Sequence, residues 1–243
     1  MQSETLQQQV LIISSKDYKE YDSLIRVIDD RDITSTFVAK GVLKPTSKNA
    51  SALTVCTLSK ITYMQKGSMP LILTASIVDY YRLIKEDLHR MAVAALCLEI
   101  TDAMLMNQTK IDGIYSWITS VLSSLKTEDP MLVACWYVLK MADEFGVGFY
   151  VDGCVVCSNT SISSIGISEG GFMCADCATS HKSDVLGVDD YRLIRCLVKA
   201  DVTQMSKCLT VKTPTMEHLR LIMEFFMEFT SIYPKSWVFL KNL

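Results

Sequence analysis

Short apolar segments rich in Val, Ile, Leu and Thr dominate the first third of the chain. Residues 10–13, 24–28, 33–39, 53–64 and 71–78 follow this pattern, separated by Lys, Asp, Asn, Gly and Pro. Such punctuation predicts about five strands in one compact unit. From Tyr80 the period changes. Leu83, Leu88, Met91, Ala95, Leu98 and Ala103 recur at three- to five-residue intervals with Glu and Arg between them, the spacing of a helix. Residues 113–125 read as a further helix. Asp129, as an N-cap ahead of Pro130, opens another that runs through Trp136 and Leu139, and Gly146 suits the left-handed position beyond its end. After a cysteine-bearing segment, residues 189–200 form the next helix. Thr213-Pro214 opens a last one, on which Leu219, Ile222, Met223, Phe226 and Phe229 share a face. That stripe could be a partner groove or ordinary packing, and packing is its usual meaning. There is no internal repeat and no low-complexity segment.

The chain has 243 residues, 49% of them apolar, enough for a sizeable core and intermediate between one large domain and two small ones. Its net charge of −3 favours no class of partner, but the charge is unevenly placed. Residues 33–78 contain no Asp or Glu, while Lys40, Lys44, Lys48, Lys60 and Lys66 all fall within them. Carboxylates outnumber cations from residue 79 to 150, so the positive field belongs to the first third. The polar residues 1–9 lack the features of a secretory signal, and the longest apolar stretch, 91–98, is far short of the roughly 20 residues of a membrane span. A soluble, cytosolic protein is therefore expected.

Nine cysteines divide into two groups. Cys56, Cys97, Cys135, Cys196 and Cys208 are scattered in apolar or mixed segments and are expected to be ordinary buried thiols. The other four, Cys154, Cys157, Cys174 and Cys177, give C-x2-C, sixteen residues, C-x2-C, the spacing of a zinc ribbon. Two residues between thiolates let one tight turn present both sulfurs to a single ion, and two such turns complete a tetrahedron. Residues 161–167 can form strands between the pairs, and Gly170-Gly171 supplies the freedom for the second turn. A redox dithiol and metal-free reduced cysteines are the competing readings. His181 could substitute as a ligand, although a surface histidine is the simpler reading beside four cysteines. Four thiolates close the coordination shell, so one zinc ion here would be structural. No deaminase, phosphate-loop, dinucleotide-binding or nucleophile-elbow motif can be read, and nothing argues for an enzyme.

A five-strand segment whose last 46 residues carry lysine but no carboxylate is what an OB-fold looks like in sequence. Such barrels track single strands with a basic groove and aromatic stacking platforms. Phe37 and Tyr63 are candidate platforms, though core packing is the commoner use of such residues. The five lysines could be an ordinary solvated surface, but surfaces usually mix both signs, and phosphate binding explains the bias better.

The order of these features resembles one family. The strand Val10-Leu11-Ile12 is followed by Tyr18 and by Tyr21-Asp22-Ser23-Leu24. Val38-Ala39-Lys40-Gly41 then runs into Lys44-Pro45-Thr46-Ser47-Lys48, matching a basic Gly-x-x-[Arg/Lys]-Pro-x-Ser run, and the paired cysteines follow inside the helical body with Gly170-Gly171 ahead of the second pair. Nearly the whole chain is similar to the bacterial recombination mediator family RecO. The resemblance implies an α+β multidomain protein: a five-stranded OB-fold β-barrel at residues 1–79, an α-helical domain at 80–150 and 182–243, and an embedded four-cysteine zinc-finger module at 151–181. It also implies a non-enzymatic, nucleoid-associated role in DNA repair. The family binds single- and double-stranded DNA, anneals complementary strands and, with RecR, helps load RecA onto strands coated by SSB, whose C-terminal tail it engages. Members often have Gly directly after the second cysteine, where this chain has Ser158, and some have lost the cysteines. The basic run is also thinner here, with Val42 and Leu43 where further cations might stand. The rival expectation is a protein-protein adaptor whose barrel and ribbon are docking surfaces.

Overall fold

The computed structural model describes residues 5–66, 69–107 and 111–243, with the side chain of Lys66 left out, and all that follows concerns these residues. They form two compact units, residues 1–126 and 127–243.

The first unit is built on five strands, β1 (Thr5–Tyr18), β2 (Asp22–Asp29), β3 (Thr34–Ala39), β4 (Thr57–Lys66) and β5 (Met69–Asp79). Their order, β1-β2-β3-β5-β4, closes on itself because β4 also pairs with β1. All neighbours are antiparallel except β3 and β5, which meet through a parallel bridge at Val38 and Leu71. This order is the OB topology expected from the sequence. Alternation along the strands turns Val10, Ile12, Ile25, Val27, Phe37, Ile61 and Ile72 into the barrel. Leu11, Ile13 and Ile28 have the opposite parity and are buried as well. The reason is α2 (Leu88–Met106), which packs on β1 after the short α1 (Arg82–Lys85). An Arg26–Asp102 ion pair of 2.5 Å adds a charged tie between β2 and α2.

Helix α3 (Ile114–Ser124) begins at Gly113, which has no side chain to cap it. Asp32, in the β2–β3 turn, supplies the missing acceptor: its carboxylate receives the N–H groups of Gly113 at 2.8 Å and Tyr115 at 2.9 Å.

In the second unit, α4 (Pro130–Glu144) is the central element. Asp129 caps it by accepting the Leu132 N–H at 2.9 Å with Pro130 in the first turn, and Gly146 lies beyond its end at φ +87°, all as the sequence predicts. Residues 132–139 of α4 are buried without interruption, so this helix is enclosed by its neighbours. They are α6 (Val188–Lys199) and α7 (Met216–Thr230), followed by a short α8 (Lys235–Leu240) that the periodicity does not reveal. Leu219, Ile222, Met223 and Phe226 of the α7 stripe are buried, which resolves that stripe as packing, and Phe229 is partly exposed at its end. The Trp136 indole N–H donates to the Ala200 carbonyl at 2.9 Å.

Three of the five scattered cysteines, Cys56, Cys97 and Cys135, are buried free thiols, with burial pushing Cys56 up to about 12. The other two are not. Cys196 on α6 and Cys208 in the 3-10 turn Met205–Thr210 are joined as a disulfide with a Cα–Cα distance of 5.7 Å. Spacing does not foretell this pair, because the α6 exit that folds Cys208 back onto Cys196 is a tertiary feature. None of the described helices is long and apolar enough to cross a membrane.

Candidate functional site

Two short strands, β6 (Ser164–Gly166) and β7 (Gly171–Met173), carry the cysteine segment, and the one-turn helix α5 (Ala175–Ala178) follows directly. The turn between the strands needs both of its glycines. Gly170 has φ +83°, and a Cβ on Gly171 would lie 2.6 Å from the Tyr150 carbonyl oxygen, since Tyr150 runs alongside as a parallel bridge. The first cysteine pair sits in a turn closed by Ser158 N–H donating to the Cys154 carbonyl at 2.8 Å. Ser158 itself adopts φ +64°. This left-handed geometry is why a glycine suits the position.

The turns bring all four sulfurs of Cys154, Cys157, Cys174 and Cys177 within 4.8 Å of one another. Cys157 and Cys174 are 3.6 Å apart, close to the roughly 3.8 Å edge of a tetrahedron with metal–sulfur bonds of about 2.3 Å. Cys154 and Cys174 are buried while Cys157 faces outward. Burial opposes ionisation of Cys154, but the backbone N–H groups of Cys174, Cys157 and Val156 outweigh it and bring this thiol down to about 6. Cys157 and Cys177 shift in the opposite direction. Hydrogen bonding to Cys157 and the proximity of the remaining sulfurs push Cys177 up to about 12. One thiolate therefore forms readily, whereas four can coexist only around a cation. The cluster could hold a metal ion. His181 is not part of it: its Nδ1 lies 2.7 Å from the Glu169 carboxylate.

The lysines are only partly assembled. Lys40 and Lys44 line one cleft of about 480 Å³ on the first unit. Lys48 and Lys60 are exposed but do not line it, Lys60 lying on β4 between Gln9 and Ser76. The side chain of Lys66 lies outside the described residues. Antiparallel pairing of β2 with β3 places the β1–β2 turn beside the segment after β3, so Lys19 and Tyr21 join Lys40 and Lys44 in the cleft. Two bonds fix this arrangement: Gly41 N–H to the Asp22 carboxylate at 2.8 Å, and Leu43 N–H to the Tyr21 carbonyl at 3.1 Å. Phe37 and Tyr63 are core residues instead of platforms. Phe37 is 1% exposed, with Tyr63 edge-on at 4.8 Å. Lys19 stands next to Glu20, and this mixed-sign turn carries no charge bias that would have singled it out in sequence.

The chain matches the family model described as Recombination protein O N terminal over residues 1–81, and Recombination protein O C terminal over residues 85–232. It belongs to the RecO family. Among its relatives, the DNA repair protein RecO of Syntrophomonas wolfei is 26% identical over 176 residues, covering 71% of this chain and 70% of the relative. The DNA repair protein RecO of Bacillus cereus is 24% identical over 237 residues, 96% of this chain and 95% of the relative. That of Bacillus anthracis gives the same figures.

Proposed function

We propose that this protein is a non-catalytic mediator of DNA repair and recombination that binds single- and double-stranded DNA and anneals complementary strands. The observation carrying this reading is the OB barrel with Lys40 and Lys44 exposed in one cleft, in a chain of the RecO family. The mechanism is physical. Lys40, Lys44 and Lys48, with Lys60 and Lys66 as weaker contacts, neutralise phosphates and release condensed counterions. Two strands held on such a surface repel each other less, and complementary bases meet sooner. In the bacterial cytosol, associated with the nucleoid, the protein acts with RecR to help place RecA on strands coated by SSB, whose C-terminal tail docks on the helical body.

The same reading assigns residues 1–79 to nucleic-acid binding, 80–150 and 182–243 to the helical domain, and 151–181 to a module closed by one structural zinc ion on Cys154, Cys157, Cys174 and Cys177. Zinc suits four thiolates at tetrahedral spacing, and a shell closed by sulfur leaves no position for substrate.

Oligonucleotide binding followed by fluorescence anisotropy across a salt series tests the proposal. Affinity should fall steeply with salt, with a slope of about −0.7 per phosphate contact on a single strand, and Lys40→Ala, Lys44→Ala and Lys48→Ala together should flatten it. An unchanged slope removes these lysines from the interface. Absence of binding at low salt would favour the adaptor. Annealing measured with and without RecR and SSB then tests the mediator role.

A further inference from the structure

The cleft that unites the β1–β2 turn with the segment after β3 holds more than cations. Tyr21 is 41% exposed within it, and the Lys44 ammonium stands 5.4 Å from the centre of its ring. Lys19 is placed in the same way over Tyr18 at 5.1 Å. The carboxylates facing this space are Asp22, which accepts from the Gly41 N–H, and the exposed Glu20. Lys19, Lys40 and Lys44 thus outnumber them.

We propose that Tyr21 is a base-stacking platform and that the Lys19, Lys40 and Lys44 cleft around it is a site selective for single-stranded over double-stranded nucleic acid. This rests on the nucleic-acid binding proposed above and deepens it. A ligand that satisfies both features must carry negative charges and offer an unpaired aromatic face a few ångströms from them. A single strand does so at every nucleotide, because its bases can unstack and rotate towards a ring. Duplex keeps its bases stacked inside and presents only phosphate at a surface cleft, where the three lysines attract it without help from Tyr21.

The backbone makes the experiment clean, since the Leu43 N–H is held by the Tyr21 carbonyl and not by its side chain. In the full-length protein, Tyr21→Ala should weaken binding of a single-stranded oligonucleotide by about 5- to 150-fold, the range that corresponds to loss of one stacked base. Duplex affinity should change by less than about twofold, and Tyr21→Phe should bind like the wild type. An oligonucleotide of the same length with abasic sites throughout should bind wild type and Tyr21→Ala equally. Equal loss on single strand and duplex, or an unchanged single-strand affinity in Tyr21→Ala, overturns the stacking role while leaving the lysine interface standing. Wild-type protein that binds neither form at low salt overturns the interface and the platform together.

Discussion

Replacing Cys174 with Ser removes one of the two buried cysteine sulfurs of a small module. The apolar cluster there comprises Cys154, Met173 and Cys174, with Val155, Ile162, Cys177 and Ala178 partly buried against it, so the sulfurs proposed to hold the ion are also part of the core. Zinc held by such sites contributes about 10–16 kcal/mol to folding of comparable peptides, and one ligand in four accounts for about 3–4 kcal/mol if the share is even. Cys174→Ser should therefore weaken zinc binding by about 10²- to 10³-fold, since each 1.4 kcal/mol is a tenfold change. Competition against a chromogenic zinc chelator measures the affinity, and urea unfolding of zinc-loaded protein measures the stability. Cys135→Ala is the control, because Cys135 is a buried free thiol on α4 outside the sulfur cluster and its loss should leave zinc affinity unchanged. A Cys174→Ser protein that keeps one zinc ion at wild-type affinity would refute the four-sulfur assignment. A variant as stable as wild type yet unable to anneal would show that the ion does more than hold the fold.

Ser158→Gly should stabilise the module by about 0.5–1 kcal/mol, as the left-handed φ of +64° costs a residue with Cβ about 1–2 kcal/mol and glycine's looser unfolded chain returns part of that. A lower midpoint in urea would contradict it. Asp190 is buried, which opposes its charge, but its bonds to Lys212 at 2.6 Å and His218 at 2.8 Å prevail and hold its pKa below the ordinary 3.8. A depressed carboxylate stabilises the fold above its unfolded pKa and loses that contribution as pH falls through the folded one. Asp190→Asn should thus be destabilising near neutrality and should flatten the loss of stability below about pH 4, read as Tm against pH. The Cys196–Cys208 disulfide closes a loop of sequence separation 12, for which chain entropy gives about 3 kcal/mol. A phosphine reductant in zinc-saturated buffer should lower Tm accordingly, and free alkylation of both cysteines in native, unreduced protein would show that the bond is absent.

Features written locally in the chain were legible in it. Asp129 and Pro130 open α4 because capping depends on neighbours in sequence, and the two C-x2-C turns gather sulfurs because a turn of fixed length has fixed reach. The five strands were also recognisable, although their ends were not. Residues 5–9 of β1 are polar apart from Leu6 and mostly exposed, so they carry no apolar period, and only pairing with β4 makes them strand.

Whatever depends on which distant segments meet was settled by the tertiary structure. Phe37 and Tyr21 are both aromatic residues near lysine, but strand parity sends Phe37 into the barrel while the β1–β2 turn leaves Tyr21 outside. Lys19 joins Lys40 and Lys44 only because β2 and β3 pair in register, and Lys60, equally basic in sequence, lies on β4 away from that cleft. Cys196 and Cys208 read as isolated thiols until the chain folds back after α6. Sequence determines periodicity, caps and turn chemistry because these act over a few residues. Pairing across the barrel and the helical core is cooperative, and it alone decides which lysines, rings and sulfurs become neighbours.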